Sequence, residues 1–373
     1  MADLAKFLRI ELLPALHGDC LWIEYGDTER TRRMLIDGGP IGAWPALEGR
    51  IASLPEDNRL FELMAITHVD TDHIEGMVRL LAIPRTGWRF AVRQVWFNGW
   101  RQMNSSHGLL GGMQGEYLGA LLARRLDQGA WNASFQGGPV VVPDTGPLPE
   151  ASLADGMKLT LLSPTPGTLA KMSKAWEKDV QQGGITPGNL EAAWVKLAGQ
   201  KKYLPGTGLL GSSPQLDALL EKQSKPDASA ANGSSIAFLV EFAGKSCLFL
   251  ADAHADVIAA SLRRLLEARQ CQRLQVDAVK VAHHGSKYNL SEELLALLDC
   301  PNYLISTNGD IFQHPDEEAL ALIVARSFHQ PPTLHFNYRS AHTAPWLDPE
   351  RQARDGYRAR VREASEASLA LVL

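Results

Sequence analysis

The stretch His68-Val69-Asp70-Thr71-Asp72-His73 decides the fold, because it brings two imidazoles and two carboxylates together within six residues. The apolar run 63–66 precedes it and predicts a buried strand, and apolar residues at helical spacing follow it from Ile74 to Leu81. In an extended chain, residues 68, 70 and 72 point the same way, and His73 follows as the chain turns. Imidazole and carboxylate together suit a divalent cation. The stretch therefore predicts a metal site on a strand-to-helix loop, and a solvated polar turn is the alternative interpretation.

Length and composition limit the classes of protein to which this chain can belong. The 373 residues include 45% hydrophobic and 21% charged side chains, so the chain can bury a sizeable core and is not disordered. The formal net charge of −5 argues against a general polyanion binder, although a local basic patch is compatible with it. A single layered α/β domain with a long insertion can hold a chain of this length.

Cysteine usage and the first residues favour a cytoplasmic protein. The chain contains four cysteines, and none of them forms a C-x-x-C pair, so no disulfide framework is indicated. Residues 1–12 carry four charged side chains and lack the apolar core of a signal peptide. No uncharged apolar run is long enough to span a membrane, so we expect no membrane partner.

The order of the predicted elements indicates a mixed α/β protein. Short apolar runs broken by Gly and Asp predict strands that pair as hairpins between residues 8 and 36. Later predicted strands alternate with helices, which is typical of mixed sheets that helices cover. A further strand pair is predicted at 140–142 and 158–163. The segment 164–231 is rich in Gly, Pro, Ser and Gln, and we interpret it as an insertion or lid within a single domain, 1–373.

Three further motifs carry potential ligands. Asp252 ends the apolar run 248–251, and its alternative role is the N-cap of a following helix. His283-His284-Gly285-Ser286 ends another predicted strand, and adjacent residues of an extended strand point to opposite sides, so only one of these histidines should face a metal. His314 precedes Pro315 in a late loop, where it could equally be an ordinary loop residue.

In this order the motifs resemble the metallo-β-lactamase superfamily and, more narrowly, the soluble domain of the competence protein ComEC and its free-standing relatives. In that group the first motif reads H-x-D-x-D-H, and this chain has Asp70 in the middle place. The remaining matches are Gly18-Asp19, Ile36-Asp37-Gly38-Gly39, Asn232-Gly233-Ser234-Ser235, His283 to Ser286, and His314-Pro315. The resemblance implies a four-layer αββα sandwich and a hydrolase with two divalent metal ions, Zn²⁺ or Mn²⁺.

The chain departs from the pattern of the family at two points. Ala251 stands before Asp252, where the family often has glycine. The cation that His68 and Asp70 would hold also lacks a clear third histidine, since His107 lies in a glycine-rich stretch and is a poor candidate. Water or substrate oxygens could complete that site, as is usual in catalytic centres, or one metal could be weakly held.

The resemblance assigns a role to each candidate residue. One ion would be held by His68 and Asp70. The other would be held by Asp72, His73 and one histidine of the pair, here taken as His284. Asp252 would bridge the two ions, with one hydroxide between them. Asp72, His283 and His314 are predicted to take part in catalysis, His283 by steadying an oxyanion or protonating the leaving group. Asn232, Lys280 and Ser286 are predicted to contact a phosphate, with structural roles at the edge of the core as the alternative.

Three functions remain open from the sequence. A phosphodiesterase or nuclease is favoured, because lactonases, thioesterases and β-lactamases, which are the second alternative, more often have histidine in place of Asp70. A non-catalytic metal-binding protein of the same fold is the third. Basic residues lie near Trp176 and Trp194 and, between Arg351 and Arg362, around Tyr357, as in surfaces that hold single strands, although solvated helix faces are the more common cause. The sequence indicates no oligomeric state.

Overall fold

A computed structural model describes residues 5–103, 113–198, 200 and 226–373 of the chain. Its strands, in chain order, are β1 (Phe7–Leu12), β2 (Leu21–Gly26), β3 (Thr31–Ile36), β4 (Leu60–Phe61), β5 (Leu63–Ala65), β6 (Ala91–Val92), β7 (Val95–Trp96), β8 (Glu150–Ser152), β9 (Lys158–Ser163), β10 (Ala237–Phe242), β11 (Lys245–Phe249), β12 (Leu274–Gln275), β13 (Ala278–Lys280), β14 (Leu298–Asp299), β15 (Asn302–Ile305), β16 (Thr333–Phe336), β17 (Arg358–Val361) and β18 (Leu369–Val372). Its α-helices are α1 (Trp44–Ala52), α2 (Thr71–Ala82), α3 (Trp100–Met103), α4 (Met113–Arg125), α5 (Pro166–Gln182), α6 (Leu190–Ala198), α7 (Ala230–Gly233), α8 (Ala255–Arg269), α9 (Glu292–Ala296), α10 (Glu317–Arg326) and α11 (Pro349–Asp355).

Two large sheets contain most of these strands. The 6-stranded sheet has the order β18-β1-β2-β3-β5-β7 and is antiparallel as far as β3 and parallel beyond it. The 8-stranded sheet has the order β17-β16-β15-β13-β11-β10-β9-β8 and is parallel as far as β11 and antiparallel beyond it. Each sheet therefore joins hairpin strands to parallel strands, which need longer crossover connections.

Buried apolar side chains form three layers, which show how the sheets and helices stack. One layer lies between the two sheets. A second joins the outer face of the 6-stranded sheet to α1, α2, α4 and α5, and a third joins the outer face of the 8-stranded sheet to α8, α9 and α10. Along β11, Cys247 and Phe249 face the inner layer and Leu248 faces the helices, as the alternation of a strand requires. This arrangement confirms the mixed α/β class and the four-layer αββα sandwich.

The carboxyl ends of the parallel strands lead into the predicted metal-binding residues. Asp37 follows β3, His68 follows β5, Asp252 follows β11, and His284 follows β13. In layered α/β proteins such ends form the crevice in which ligands bind. The topology therefore brings together side chains that lie far apart in the sequence.

Glycines at two of the motifs allow the backbone to pass directly over the first two turns of α2. A Cβ on Gly18 would lie 1.8 Å from the carbonyl oxygen of Asp72, and a Cβ on Gly38 would lie 2.4 Å from the amide nitrogen of Met77. The amide of Gly38 donates to the carbonyl of His73 at 2.8 Å. Only glycine fits at such a distance, so these motifs position the helix that carries Asp72 and His73.

The strand predicted at 140–142 is not formed. On the side away from β10, β9 pairs instead with β8, ten residues further along the chain. The side chain of Asn98 accepts from the amide of Val140 and donates to its carbonyl, both at 2.8 Å, so these two backbone groups are satisfied without a neighbouring strand. Pro139 and Pro143 flank the segment and lack the amide hydrogens that a strand needs.

The predicted insertion, 164–231, contains ordered helix in its described part. Thr165 caps α5 with a capping box, which the sequence analysis missed. Trp176 of α5 is buried and lies 6.3 Å, ring to ring, from Phe97 beside β7. The bounds of the insertion and the single domain stay predictions. The described residues do not include 199, 201–225 or His107. A helix that the sequence predicts near 214–222 therefore lies outside them.

Among the described residues, no helix combines the length and the apolar character that crossing a bilayer requires. The longest of these helices, α5, has 17 residues and carries Lys171, Lys174 and Lys178. The cytoplasmic location stays a prediction.

We expect Gly18→Ala to lower the free energy of unfolding by about 2 kcal/mol, because the new methyl group collides with backbone rather than with a movable side chain. Urea denaturation followed by circular dichroism would measure the change. Gly49→Ala is the matched control: no atom lies within 4 Å of the added Cβ in α1, and it should raise stability by about 0.5–1 kcal/mol. Equal stability of Gly18→Ala and the unmodified chain would contradict the close approach.

Candidate metal centre

The carboxylate of Asp252 lies at the meeting point of three buried imidazoles. Its Oδ1 is 3.4 Å from Nε2 of His73. Its Oδ2 is 3.8 Å from Nε2 of His68 and 3.9 Å from Nε2 of His284. These residues come from three separate segments of the chain, with His73 in the first turn of α2, and all four side chains are at most 2% exposed.

Two more carboxylates of the first motif extend this cluster. Oδ2 of Asp72 is 3.2 Å from Nε2 of His284 and 3.9 Å from Nε2 of His73. Oδ2 of Asp70 is 3.6 Å from Nε2 of His68, and its side chain is 41% exposed, so it lies on the open side of the cluster. The structure therefore brings together all six residues predicted as metal ligands.

Hydrogen bonds at the other ring nitrogen determine which atom of His73 and His284 faces the cluster. Nδ1 of His284 donates to the carbonyl oxygen of Ser306 at 2.9 Å, and a carbonyl can only accept. Nδ1 of His73 donates to the carboxylate of Asp37 at 2.8 Å. In the neutral form, both rings therefore carry hydrogen on Nδ1 and a lone pair on Nε2.

The same argument applies to His68 through one further residue. The hydroxyl of Thr67 donates to Asp37 at 2.7 Å, so its oxygen is free to accept from Nδ1 of His68 at 3.0 Å. Asp37 also accepts from the amide of Thr67 at 2.8 Å. One buried carboxylate thus orients two imidazoles, which is how residues behind a metal site hold its ligands.

The cluster fits a divalent cation, because some of its inward atoms have no hydrogen-bond partner in the described part of the chain. Nε2 of His73 and of His284 are 3.3 Å apart, and two lone pairs cannot form a hydrogen bond. Nε2 of His68 and Oδ1 of Asp252 are buried with no hydrogen-bond partner among the described residues. Buried polar atoms are rarely left in this state. Imidazole nitrogen and carboxylate oxygen are the donors that Zn²⁺ and similar ions bind.

Burial and charge perturb the titration of these groups in opposite directions. Burial lowers the pKa of His284, but Asp252 and Asp19 raise it to about 9. The pKa of His73 is likewise lowered by burial and raised well above its usual value by Asp252, Asp72 and Asp37. Burial raises the pKa of Asp72, and the two imidazoles bring it down to about 2. The carboxylates therefore require positive charge beside them, as protons or as metal cations.

The backbone immediately before Asp252 is strained. Ala251 has φ 47°, in the left-handed region where glycine is favoured. The next helix, α8, begins at Ala255 with His254 at its N-cap, so the alternative role of Asp252 as a helix cap is wrong. Strain of this kind is concentrated at functional sites.

The expectation that only one histidine of the pair turns toward this cluster is also wrong. It assumed an extended backbone, whereas His283 and His284 have φ 46° and 54°. Both rings consequently turn toward Asp252, and Nε2 of His283 lies 3.6 Å from its Oδ2.

The residues predicted to contact substrate are placed differently from one another. Lys280 is 0% exposed and its ammonium group pairs with Asp19 at 2.6 Å, so it has no open surface for a phosphate. Ser286 is also 0% exposed. Asn232 lies beside His283, with its Nδ2 3.3 Å from Nδ1 of that ring. For Lys280 and Ser286 the structural alternative is the better description.

His314 lies at the outer side of the histidine pair. Its ring centre is 5.3 Å from that of His283, and its Nδ1 is 3.6 Å from a carboxylate oxygen of Asp316. Burial, with His283 and His284 adding to the effect, lowers the pKa of His314 to about 3. This side chain is therefore a neutral hydrogen-bonding group near pH 7.

Two residues that hold His283 were missed by the sequence analysis. Asn289 accepts from Nδ1 of His283 at 2.8 Å, and Asp227 accepts from Asn289 at 2.8 Å and from Asn232 at 2.7 Å. Asn289 follows the histidine pair closely, and Pro226-Asp227 is a turn signal, but neither pattern indicates a contact with His283.

No family model and no curated protein matches this chain. Among solved structures, a mutant of the CmlA beta-hydroxylase is similar over 100% of this chain and 54% of its own length, with a TM-score of 0.36 and 13% identity. A Cronobacter sakazakii (Enterobacter sakazakii) metallo-beta-lactamase with a HARLDQ motif is similar over 74% of this chain and 78% of its own, with a TM-score of 0.29 and 16% identity. The chain thus spans about half the length of the hydroxylase, and the fold described above rests on its own strands, helices and apolar layers.

We expect Asp252→Asn to abolish tight binding of divalent metal while the chain stays folded, because the change removes a charge and keeps the shape of the side chain. Metal analysis after dialysis against Zn²⁺ or Mn²⁺ would measure bound equivalents. Asp299→Asn is the matched control, since Asp299 lies before β15, at the opposite end of the strand from Ser306. Unchanged metal content in Asp252→Asn would exclude Asp252 as a bridging ligand.

Replacing the strained alanine should stabilise the chain. We expect Ala251→Gly to raise the free energy of unfolding of the metal-free protein by about 1 kcal/mol, since glycine adopts the left-handed region without the steric cost that alanine has there. Ala253→Gly is the comparison, because Ala253 is buried outside that region and its substitution should be destabilising. Chemical denaturation in a chelator would measure both, and a loss of stability in Ala251→Gly would contradict the strain.

Proposed function

We propose that this chain is a metal-dependent hydrolase of the metallo-β-lactamase superfamily and that it cleaves phosphodiesters. The observation that carries the proposal is the convergence of buried Nε2 lone pairs and carboxylate oxygens on Asp252 at the carboxyl ends of the parallel strands. The order of the motifs along the chain, with Asp70 in the middle of the first one, supports the same superfamily.

The ligand sets follow from the contacts. His68, Asp70 and Asp252 would hold one divalent ion, and Asp72, His73, His284 and Asp252 would hold the other. When bound, the ions supply Lewis acidity toward a phosphoryl oxygen and lower the pKa of a water molecule. Zn²⁺ and Mn²⁺ are both compatible with a donor set this rich in carboxylate.

The protein's own groups would orient the reactants at this centre. Asp37 and Ser306 keep the imidazoles from rotating, so the ligands are arranged before substrate arrives. Asp70 is the most exposed of the predicted ligands for which the structure gives contacts, and substrate would approach from its side. His314, neutral near pH 7, would hydrogen-bond to the substrate rather than supply a proton as an imidazolium.

The burial of the aromatic side chains favours a small phosphodiester over a nucleic-acid strand as the substrate. Trp176 is 1% exposed and Tyr357 is 3% exposed, so neither can stack on a base. Arg351 lies 3.9 Å from the ring of Trp346 and bonds to Glu317 instead of facing solvent. The aromatic rings of these segments therefore pack in the protein's own interior, although basic residues such as Lys171, Lys174 and Arg354 are exposed. Nucleic acid is one arm of the test below.

A substrate panel tests the proposal directly. With Zn²⁺ or Mn²⁺ added, we expect turnover of bis-p-nitrophenyl phosphate and, at most weakly, of DNA or RNA. Asp72→Asn should lower kcat/KM by at least about 100-fold, because a lost ligand costs more than a lost residue behind a ligand. Asp299→Asn should leave it unchanged. Hydrolysis of lactones without phosphodiester hydrolysis would favour the acyl hydrolases, and two bound metals with no turnover would favour a non-catalytic protein.

A further inference from the structure

We infer that His283 is itself a metal ligand. Together with His68, Asp70 and the shared carboxylate of Asp252, it would hold the first of the two ions. This inference rests on the proposed two-metal centre and deepens it. It also replaces the earlier assignment of His283 as a proton donor to the leaving group, and it gives Asp227 and Asn289 the task of positioning the ring.

The distances around Asp252 support this assignment. Its Oδ2 is 3.6 Å from Nε2 of His283 and 3.8 Å from Nε2 of His68. Two atoms that bind one Zn²⁺ at 2.0–2.2 Å are separated by roughly 3–4 Å. His283 therefore stands in the same relation to this oxygen as His68 does. His284 also lies 3.9 Å from Oδ2, but its Nε2 is closer to Asp72, at 3.2 Å, and His73 is closer to the other oxygen, Oδ1.

The side chain of Asn289 determines the tautomer of His283. Its Nδ2 donates to a carboxylate oxygen of Asp227 at 2.8 Å and to the carbonyl of Asp252 at 3.0 Å. Both partners can only accept, so the amide cannot be turned around, and its Oδ1 faces Nδ1 of His283 at 2.8 Å. Nδ2 of Asn232 is also near this nitrogen, but it lies further away, at 3.3 Å, and donates to Asp227 at 2.7 Å. The shorter contact with Asn289 therefore assigns the hydrogen to Nδ1 of His283, and the neutral ring has its lone pair on Nε2, toward Asp252.

All four imidazoles around Asp252 thus follow one rule. Each ring donates its Nδ1 hydrogen to an oxygen. The acceptors are Thr67 for His68, Asp37 for His73, Ser306 for His284 and Asn289 for His283. Donation of the outer ring hydrogen to an oxygen is the usual arrangement of metal-bound histidine. A ring held in this tautomer has no hydrogen on Nε2 to give to a leaving group.

The backbone supports the same conclusion. Two consecutive non-glycine residues, His283 and His284, have φ 46° and 54°, and Gly285 follows at φ 89°. An extended chain would turn one of the two rings away. The left-handed turn instead presents both rings to one carboxylate, which explains why the strain is retained.

Metal titration of variants tests the assignment independently of turnover. We expect two equivalents of Co²⁺ or Zn²⁺ in the unmodified chain by calorimetry, and in His283→Ala one equivalent at unchanged affinity with the other weakened at least 100-fold. His314→Ala is the matched control, because its ring lies next to His283 and should be dispensable for metal. Asn289→Leu should weaken the same single equivalent about 10- to 100-fold, as loss of a supporting hydrogen bond does.

Histidine-selective ¹⁵N NMR of the Zn²⁺-loaded chain provides a readout that needs no variant. We expect His283 to show a protonated Nδ1 and a metal-bound Nε2. A protonated or uncoordinated Nε2, or two tight equivalents in His283→Ala, would overturn this inference while the two-metal centre stands. Absence of metal binding by the unmodified chain would overturn both, and metal binding without phosphodiester turnover would contradict only the proposed activity.

Discussion

The buried carboxylate of Asp252 is the group on which the arrangement of the whole site depends. Four imidazoles present Nε2 to it at 3.4–3.9 Å, and each is held from behind by an oxygen that accepts its Nδ1 hydrogen. Burial lowers the pKa of His284, but the carboxylates of Asp252 and Asp19 raise it to about 9, so without an ion this ring keeps its proton near pH 7. Nε2 of His68 and Oδ1 of Asp252 still lack a hydrogen-bond partner among the described residues, which is costly. Two divalent cations would supply the positive charge and a bonding partner for these atoms, because each atom is a ligand of the kind that such ions bind.

The fold supplies this carboxylate and its partners from separate layers. Asp37 and His68 follow strands of the 6-stranded sheet, whereas Asp252 and His284 follow strands of the 8-stranded sheet. The apolar layer between the sheets therefore determines whether the two halves of the site meet. Lys280 contributes to the contact between the two sheets, since its buried ammonium group binds Asp19 on the loop between β1 and β2. Oδ1 of Asp19 in turn lies 3.4 Å from Nδ1 of His284. A side chain that looks suited to phosphate thus connects the two sheets.

The sequence predicts the part of the site whose residues lie close together along the chain. The run 68–73 shows four candidate ligands within six residues after an apolar strand, and this pattern predicts the strand-to-helix loop. The contacts of Asn289 and Asp227 could not be predicted, because they depend on where α7 and the loop after His284 meet in space. The orientation of His283 was missed for a different reason: the sequence suggested an extended strand end, and tertiary contacts instead impose a left-handed turn. Tertiary contacts also explain why the segment 140–142 is not a strand. The side chain of Asn98 bonds to both backbone groups of Val140, so Val140 needs no strand partner.

The distribution of strain and exposure suggests how such a centre can be both rigid and reactive. Ala251, His283 and His284 hold left-handed conformations directly at the ligands, where the energy of the surrounding packing can maintain them. Asp70, with 41% of its side chain exposed, and His283, with 22%, lie on the solvent side, while His68, His73 and His284 are fully enclosed. The ion beside Asp70 and His283 would therefore be the one that substrate and solvent reach, and the ion beside Asp72 and His73 would be enclosed. Such a difference in access is what an enzyme needs if one ion is to exchange its water for substrate while the other keeps the ligands in place.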